Sequence, residues 1–182
     1  VMIKFPATSF MQTNTHAAEK MIQTLRTHIE KTHSHRKKLF DLYCGVGPIG
    51  LNLADLFEKM VGIEYDEKAV IEARDNALAN GITNTEFFSG KTEDQCHLLA
   101  QESDKTNSIL ILDPPRPGLH EKVVQFLLNA NFPTIFYVSC SPASLARDLR
   151  LLMSKYTIDL VQPMDFFPHT EHIETLVKLS QR

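Results

Sequence analysis

Three groups that can do covalent chemistry stand at or near the ends of apolar runs in this chain of 182 residues. Cys140 lies where an apolar strand stops, just before Pro142, at which a helix can begin. Asp113 ends an earlier apolar run, and Glu174 lies near the start of a late one. A thiolate can attack an electron-poor ring carbon, and a carboxylate can then remove a proton from that ring. These residue types together indicate covalent catalysis on a ring carbon.

The thiol of Cys140 has both a packing and a chemical interpretation. A single cysteine after an apolar strand is usually a small buried hydrophobe. Ser141, however, can cap the helix that follows, and a thiol at a helix N-terminus has a lowered pKa and more thiolate. Arg116 or Arg147 would lower this pKa further if either side chain lies close. We therefore expect Cys140 to be an activated nucleophile.

Glu174 is predicted to lie on one face of the last strand, together with His172. A carboxylate in an otherwise apolar strand is costly unless it is paired or functional. His169, Glu171 and His172 are alternative acid–base groups from the same stretch. A structural glutamate on an exposed hinge is the second interpretation of Glu174.

A glycine-rich segment, residues 41–50, follows the first predicted strand and opens a helix. Its glycines let a ligand approach the backbone, and the helix N-terminus offers free N–H groups. Glu64 ends the next strand, 19 residues after Gly45, where a carboxylate can bind both hydroxyls of a ribose. NAD and S-adenosylmethionine both fit, as does a tight turn without a ligand. S-adenosylmethionine is favoured because Pro48 lacks an N–H for a pyrophosphate and because hydride transfer needs no thiol.

Apolar segments alternate with helical segments along the chain, which is typical of a parallel sheet with helices on both faces. The predicted strands are 38–43, 60–64, 85–89, 108–113, 134–139, 156–162 and 172–179. The predicted helices are 14–31, 48–57, 67–79, 92–101, 120–129 and 142–153. The last two strands are joined by residues 163–170, which leave no room for a crossover helix. We therefore expect the final strand to run antiparallel to its neighbour.

The composition is that of an ordinary globular protein, with 43% apolar and 23% charged residues and a formal net charge of −3. Cysteines at 44, 96 and 140 lack metal-ligand spacing, so we expect reduced thiols, no metal site and a cytoplasmic location. Cys44 and Cys96 are predicted to be packing residues. No apolar run is long enough for a membrane helix. We expect one domain over 1–182, with 1–35 as a lead-in segment and helix, and a monomer without a protein partner.

The motifs of this chain resemble those of the catalytic domain of the RNA uracil-5-methyltransferases. These are S-adenosylmethionine-dependent enzymes that make 5-methyluridine in tRNA and rRNA. The matching segments are SFMQTN (9–14), DLYCGVG (41–47), VGIE (61–64), DPPRPGL (113–119), SCSPASLARDL (139–149) and FPHTEHIE (167–174). They stand in family order over essentially the whole chain. Family members carry further N-terminal regions, so we expect this chain to be the C-terminal part of a longer protein.

The resemblance implies a Rossmann-like class I methyltransferase fold, a mostly parallel seven-stranded sheet with an antiparallel last strand and helices on both faces. It implies S-adenosylmethionine as cofactor and RNA, with a flipped uridine of tRNA or rRNA, as partner. Cys140 falls on the position of the nucleophile and Glu174 on that of the base. Four residues fall on cofactor-binding positions: Gln12, Gly45, Glu64 and Asp113.

The resemblance also implies a mechanism and leaves rival functions to test. Uracil C5 becomes nucleophilic once a thiolate adds to C6, and a base then removes the C5 proton. An RNA cytosine-5-methyltransferase is the nearest rival, but such enzymes typically carry a Cys where Arg116 follows Pro115 here. A second rival function is N-methylation of a base or a protein, which needs no thiol. A third is a non-catalytic Rossmann-like module that binds RNA.

Overall fold

The computed structural model describes residues 1–5, 14–32, 37–100, 107–170 and 172–182. The strands are β1 Lys38–Leu42, β2 Lys59–Glu64, β3 Thr85–Ser89, β4 Ser108–Leu112, β5 Thr134–Ser139, β6 Tyr156–Met164 and β7 Glu174–Gln181. The α-helices are α1 Thr15–Thr32, α2 Pro48–Leu53, α3 Glu67–Ala79, α4 Thr92–Ala100, α5 Glu121–Ala130 and α6 Pro142–Leu152. None of the helices in these ranges combines the length and the apolar character needed to cross a membrane.

The seven strands form one sheet in the order β3-β2-β1-β4-β5-β7-β6. Strands β1 to β5 pair in parallel, whereas β7 runs antiparallel to both β5 and β6. The predicted antiparallel last strand is therefore confirmed, and β7 lies between its two partners rather than at the edge. The short connection from β6 lets the chain turn back beside it, because a hairpin needs no crossover helix.

Most predicted boundaries are off by one or two residues, and two of the differences bear on the site or on the winding of a helix. The helix predicted over 48–57 ends at Leu53, and a 3-10 turn, Ala54–Leu56, follows it. The N–H of Phe57 closes this turn on the carbonyl of Ala54 at 3.1 Å, so the last residues wind more tightly than an α-helix. The last strand begins at Glu174 rather than at residue 172, and Glu174 pairs with Met164 at the end of β6.

Helices cover both faces of the sheet, as predicted. On one face, buried side chains from α1, α2 and α3 pack against the strands. On the other, buried side chains from α4, α5 and α6 do so. All residues of β4 and β5 are buried, as expected for central strands with helices on both sides.

Helix α1 shows how local sequence and packing agree. Asn14 precedes it, and the Oδ1 of Asn14 accepts the N–H of Ala17 at 3.0 Å, a cap worth about 1 kcal/mol. The apolar face of the helix supplies Met21, Leu25 and Ile29, each at most 4% exposed. This face anchors the helix on the sheet beside β1 and α2.

Candidate active site

Five of the six predicted site residues lie at one edge of the sheet. Gly45, Glu64, Asp113 and Cys140 lie at or just beyond the carboxyl ends of parallel strands. Glu174 joins them because β7 runs the other way and begins where its neighbours end. This edge is where open α/β sheets bind their ligands. The predictions that concern Gln12 and Glu171 lie outside the described residues.

Glu64 is held across the glycine loop by two backbone groups. Its Oε2 accepts the N–H of Gly45 at 3.0 Å, and its Oε1 accepts the N–H of Asp66 at 2.9 Å. A carboxylate has about four acceptor positions, so two stay available for hydroxyl groups of a ligand. At Gly45 a Cβ atom would meet nothing within 4 Å, so the space above this backbone is open. The arrangement fits a ribose on Glu64 with the loop backbone beside it.

Asp41 belongs to this half of the site, although it was not predicted. It is 1% exposed in β1, and its Oδ2 accepts the N–H of Gly50 at 2.9 Å. Its Oδ1 is buried without a hydrogen-bond partner among the described residues. Burial raises the pKa of Asp41 to about 7, against the effect of the Gly50 N–H. An acid inside an apolar strand was the sequence signal, and its bond to Gly50 ties β1 to the helix that follows the glycine loop.

Asp113 lies directly after β4, where Pro114 and Pro115 stop the strand. Its N–H donates to the carbonyl of Leu42 at 3.3 Å, so the backbone still follows the sheet at this point. Burial raises the pKa of Asp113 to about 8, and the charges of Glu174 and Asp41 add to the increase. A raised pKa favours the protonated form of Asp113, which can donate a hydrogen bond.

Cys140 and Glu174 lie just past the last pair of the β5–β7 ladder. The antiparallel register of β5 and β7 pairs Ser139 with Thr175, so Cys140 and Glu174 are the next two residues in register. Opposite residues of an antiparallel pair have Cβ atoms about 5 Å apart. Glu174 is 4% exposed, whereas Cys140 is half-buried and accessible. The fold thus places a thiol and a carboxyl group side by side.

The predicted lowering of the Cys140 pKa is wrong. Burial raises the pKa of this thiol, and the nearby charges of Glu174 and Asp113 raise it further. Arg116 acts in the opposite direction but more weakly. Arg147, the other cation considered, binds elsewhere: its Nε donates to Asp148 at 2.9 Å. Partial burial and the two carboxyl groups therefore outweigh the backbone hydrogen bond and the guanidinium of Arg116, which both lower the pKa.

The turn that carries Arg116 is held by helix α6. The Oγ of Ser144 donates to the carbonyl of Arg116 at 2.8 Å, and an Nη atom of Arg147 donates to the carbonyl of Pro117 at 2.8 Å. The Oδ2 of Asp148 accepts the N–H of Leu119 at 2.8 Å. These three helical residues are spaced so that they share one face of α6. Because α6 begins beside Cys140, one helix positions both the thiol and the turn after β4.

Arg116 and His172 are exposed and form a group with the half-buried Phe167. An Nη atom of Arg116 lies 3.3 Å from the Nδ1 of His172. The rings of His172 and Phe167 meet edge to face, with centroids 6.2 Å apart. A cation next to an aromatic pair suits a phosphate and a base of a nucleic acid.

The other two cysteines have the packing environment predicted for them. Cys44 and Cys96 are buried, and burial raises the pKa of both thiols, that of Cys96 to about 11. The Sγ of Cys96 donates to the carbonyl of Thr92 within α4. Cys140 is thus the accessible thiol in the described part of the chain.

Comparison with known sequences identifies relatives over the whole chain. A sequence model of the family described as tRNA (Uracil-5-)-methyltransferase matches residues 1–182. An RNA methyltransferase of Clostridium tetani is 43% identical over 183 residues, which cover 99% of this chain and 39% of that protein. An RNA methyltransferase of Thermosynechococcus vestitus is 42% identical over 182 residues, which cover 99% of this chain and 39% of that protein. The chain spans about two fifths of the length of these relatives.

Solved structures agree with these sequence matches. The Pyrococcus abyssi tRNA (uracil-54, C5)-methyltransferase in complex with S-adenosyl-L-homocysteine is 34% identical, with a TM-score of 0.78 over 94% of this chain and 40% of that chain. An rRNA methylase from Streptococcus thermophilus shares the fold at 18% identity, with a TM-score of 0.68 over 100% of this chain and 99% of that chain.

The predicted fold and enzyme class are confirmed by these relatives. The predicted cofactor, S-adenosylmethionine, is confirmed as that of the family, since S-adenosyl-L-homocysteine is what it becomes after methyl transfer. By sequence match over its full length and by structure, this chain belongs to the tRNA (uracil-5-)-methyltransferase family.

Proposed function

We propose that this chain methylates C5 of a uridine in RNA, with Cys140 as nucleophile and Glu174 as base. The observation that carries the proposal is that the β5–β7 ladder ends at the pair Ser139–Thr175, so that Cys140 and Glu174 come next on the two strands at the ligand-binding edge of the sheet. One group must reach C6 of the ring and the other must reach the proton on the adjacent C5. Neighbouring positions on two adjacent strands, where Cβ atoms are typically about 5 Å apart, suit two adjacent ring atoms.

The cofactor lies along the glycine loop in this proposal. Glu64 binds the ribose hydroxyls, Gly45 leaves room for the adenosine and methionine parts, and Asp113 donates a hydrogen bond from its protonated carboxyl group. Gln12 is assigned to the same site on the resemblance alone. When bound, S-adenosylmethionine supplies an electrophilic methyl group. The residues of the chain orient the uracil toward it and handle the protons.

Cys140 begins the reaction by forming a bond from its sulfur to C6, and its thiol proton passes to water through the exposed side of the residue. The C5–C6 electron pair moves toward C5, which then takes the methyl group. Glu174 removes the C5 proton, the electrons of that C–H bond restore the C5–C6 double bond, and the C6–S bond breaks to release a thiolate.

RNA recognition is assigned to the group of Arg116, His172 and Phe167. A target uracil has to leave its stack to be reached by the thiol on one side and the methyl donor on the other. Arg116, whose charge acts on Cys140, offers a cation for phosphate, and the rings of His172 and Phe167 next to Arg116 offer a surface for stacking. The family description and the archaeal relative both name tRNA, so tRNA is the first substrate to test and rRNA the second.

Nucleoside mass spectrometry tests the proposed reaction. RNA from cells that lack the gene is incubated with the purified protein and S-adenosylmethionine, and the tRNA and rRNA fractions are digested separately. We expect 5-methyluridine in one fraction. Cys140→Ala is expected to abolish it, whereas Cys96→Ala, which removes a buried thiol of α4, is expected to retain it. Product formation by Cys140→Ala would refute the covalent mechanism, and 5-methylcytidine would support cytosine as the target base.

Trapping of the adduct tests the role of Glu174. With Glu174→Gln the C5 proton stays in place, so the C6–S bond cannot break and a covalent protein–RNA complex accumulates. This complex is visible as a retarded band in a denaturing gel. If Glu174→Gln forms no adduct while its Cys140 still reacts with alkylating agents, the base lies elsewhere, and His169 is the next residue to test.

A further inference from the structure

Residues 1–5 are bound along helix α3 by two asparagine side chains. The amide of Asn80 accepts the N–H of Met2 at 2.8 Å and donates to the carbonyl of Met2 at 2.8 Å. The amide of Asn76 accepts the N–H of Lys4 at 2.9 Å and donates to the carbonyl of Lys4 at 3.0 Å. Each amide therefore binds both backbone groups of one residue, as a neighbouring strand would. We call Asn76 and Asn80 the asparagine clamp.

The spacing of the clamp matches that of an extended chain. Asn76 and Asn80 lie one helical turn apart, with Cβ atoms about 6 Å from each other. Alternate residues of an extended segment, such as Met2 and Lys4, are about 6.6 Å apart and present their N–H and C=O groups on the same side. The clamp therefore recognises an extended backbone rather than particular side chains.

Asn76 also reaches the glycine loop. Its Nδ2 donates a second hydrogen bond, to the carbonyl of Val46 at 3.1 Å, and the residue is 1% exposed. Val46 lies between Gly45 and Gly47, so its carbonyl belongs to the backbone that faces the proposed cofactor site. Asn80 binds instead to the carbonyl of Asn76 within α3, at 2.8 Å. One buried amide thus connects residues 1–5 with the loop, whereas its partner in the clamp does not.

We propose that Asn76 is a positioning residue for the cofactor. Asn76 donates a hydrogen bond to the carbonyl of Val46. Through this bond it fixes the orientation of the peptide next to Gly45. Lys4 fixes the amide of Asn76 from the other side with two hydrogen bonds, so that both amide hydrogens point at carbonyls. Docking of residues 1–5 and the conformation of the loop are therefore energetically coupled through one side chain.

Calorimetric titration with S-adenosyl-L-homocysteine tests this role in a matched pair of variants. Asn76→Ala and Asn80→Ala each remove one half of the clamp, and both are expected to speed hydrogen exchange in residues 1–5. Only Asn76→Ala is expected to weaken binding, by about fivefold to tenfold for a lost buried hydrogen bond. For the same reason its KM for S-adenosylmethionine rises, while kcat at saturating cofactor stays within about twofold.

A second pair leaves the buried residue in place, in case Asn76→Ala does not fold. Lys4→Pro removes the N–H that Asn76 accepts, and Met2→Pro removes the N–H that Asn80 accepts. Lys4→Pro is expected to weaken binding of S-adenosyl-L-homocysteine by about twofold to fourfold, and Met2→Pro to leave it unchanged. Equal losses in both members of either pair, or no loss with Asn76→Ala, would overturn the proposal.

Because this role depends on the cofactor site proposed above, Glu64→Ala is measured alongside. If Glu64→Ala binds S-adenosyl-L-homocysteine as tightly as the unaltered protein, the proposed cofactor site is wrong. If Glu64→Ala loses binding while Asn76→Ala retains it fully, the cofactor site stands and the positioning role of Asn76 is wrong.

Discussion

The hydroxyl of Tyr137 donates a hydrogen bond of 2.7 Å to the buried carboxylate of Asp148. The same oxygen of Asp148 accepts the N–H of Leu119, and Arg147 binds the other oxygen at 2.7 Å. Strand β5, helix α6 and the turn after β4 are thereby joined at one carboxylate that is 1% exposed. This junction lies outside the proposed chemistry, yet it holds the turn that carries Arg116.

Tyr137→Phe is expected to lower the free energy of unfolding by about 2 kcal/mol, because a hydrogen bond to a buried charged group is lost. Tyr156→Phe is the matched control, since Tyr156 is equally buried but its hydroxyl donates to a neutral carbonyl, that of Leu127, at 3.1 Å. Tyr156→Phe is expected to lower the free energy of unfolding by about 1 kcal/mol. Urea denaturation measures both, and an equal or larger loss in Tyr156→Phe would contradict this assignment.

Gly118→Ala is expected to be far more harmful than Gly81→Ala, although both glycines have positive φ. At Gly118, with φ +80, a Cβ would lie 2.6 Å from the Oδ2 of Asp148 and 2.8 Å from an Nη atom of Arg147. At Gly81, with φ +66, a Cβ would meet nothing within 4 Å. We expect the free energy of unfolding to fall by about 3 kcal/mol in Gly118→Ala and by about 1 kcal/mol in Gly81→Ala. The second loss comes from backbone strain alone. Similar melting temperatures for the two variants would show that the turn can move away from Asp148.

The reactivity of Cys140 should rise when a neighbouring carboxyl group is neutralised. Glu174 and Asp113 both raise the pKa of this thiol, so Glu174→Gln or Asp113→Asn lowers the pKa and increases the thiolate fraction. At about pH 8 we expect roughly threefold to tenfold faster alkylation by iodoacetamide, since one pKa unit is a factor of ten in thiolate. Peptide mass spectrometry follows Cys140, with buried Cys44 and Cys96 as internal references. Slower alkylation in both variants would contradict this electrostatic account.

Asp41→Asn should stabilise the protein above neutral pH. The pKa of Asp41 is about 7 in the folded protein and about 3.8 when unfolded, so the folded state binds the proton more tightly. The unaltered protein therefore loses stability as pH rises from about 4 to about 7. The Asp41→Asn variant does not, because asparagine does not ionise. The gain in unfolding free energy at about pH 8 should exceed that at about pH 4 by on the order of 3 kcal/mol. Denaturant unfolding of both proteins at the two pH values measures this gain. A gain that does not depend on pH would contradict the burial of this charge.

Much of the fold could be predicted because local sequence and packing agree. Three elements, β3, α3 and β5, have the predicted bounds, and most others differ by one or two residues at an end. Turn residues such as Asn80 and Gly81 end helices through backbone preferences that act locally. The direction of β7 also followed from local information, since the length of a connection limits how two strands can pair.

The sequence by itself determined which strand ends carry Cys140, Asp113 and Glu64, because the apolar runs that precede them are visible in the chain. Only the tertiary structure decided that Glu174 stands opposite Cys140, since this depends on β7 inserting between β5 and β6. It also decided that the pKa of the thiol is raised rather than lowered. Burial and the distance between charges arise from residues far apart in the chain, and no pattern of neighbouring residues encodes them.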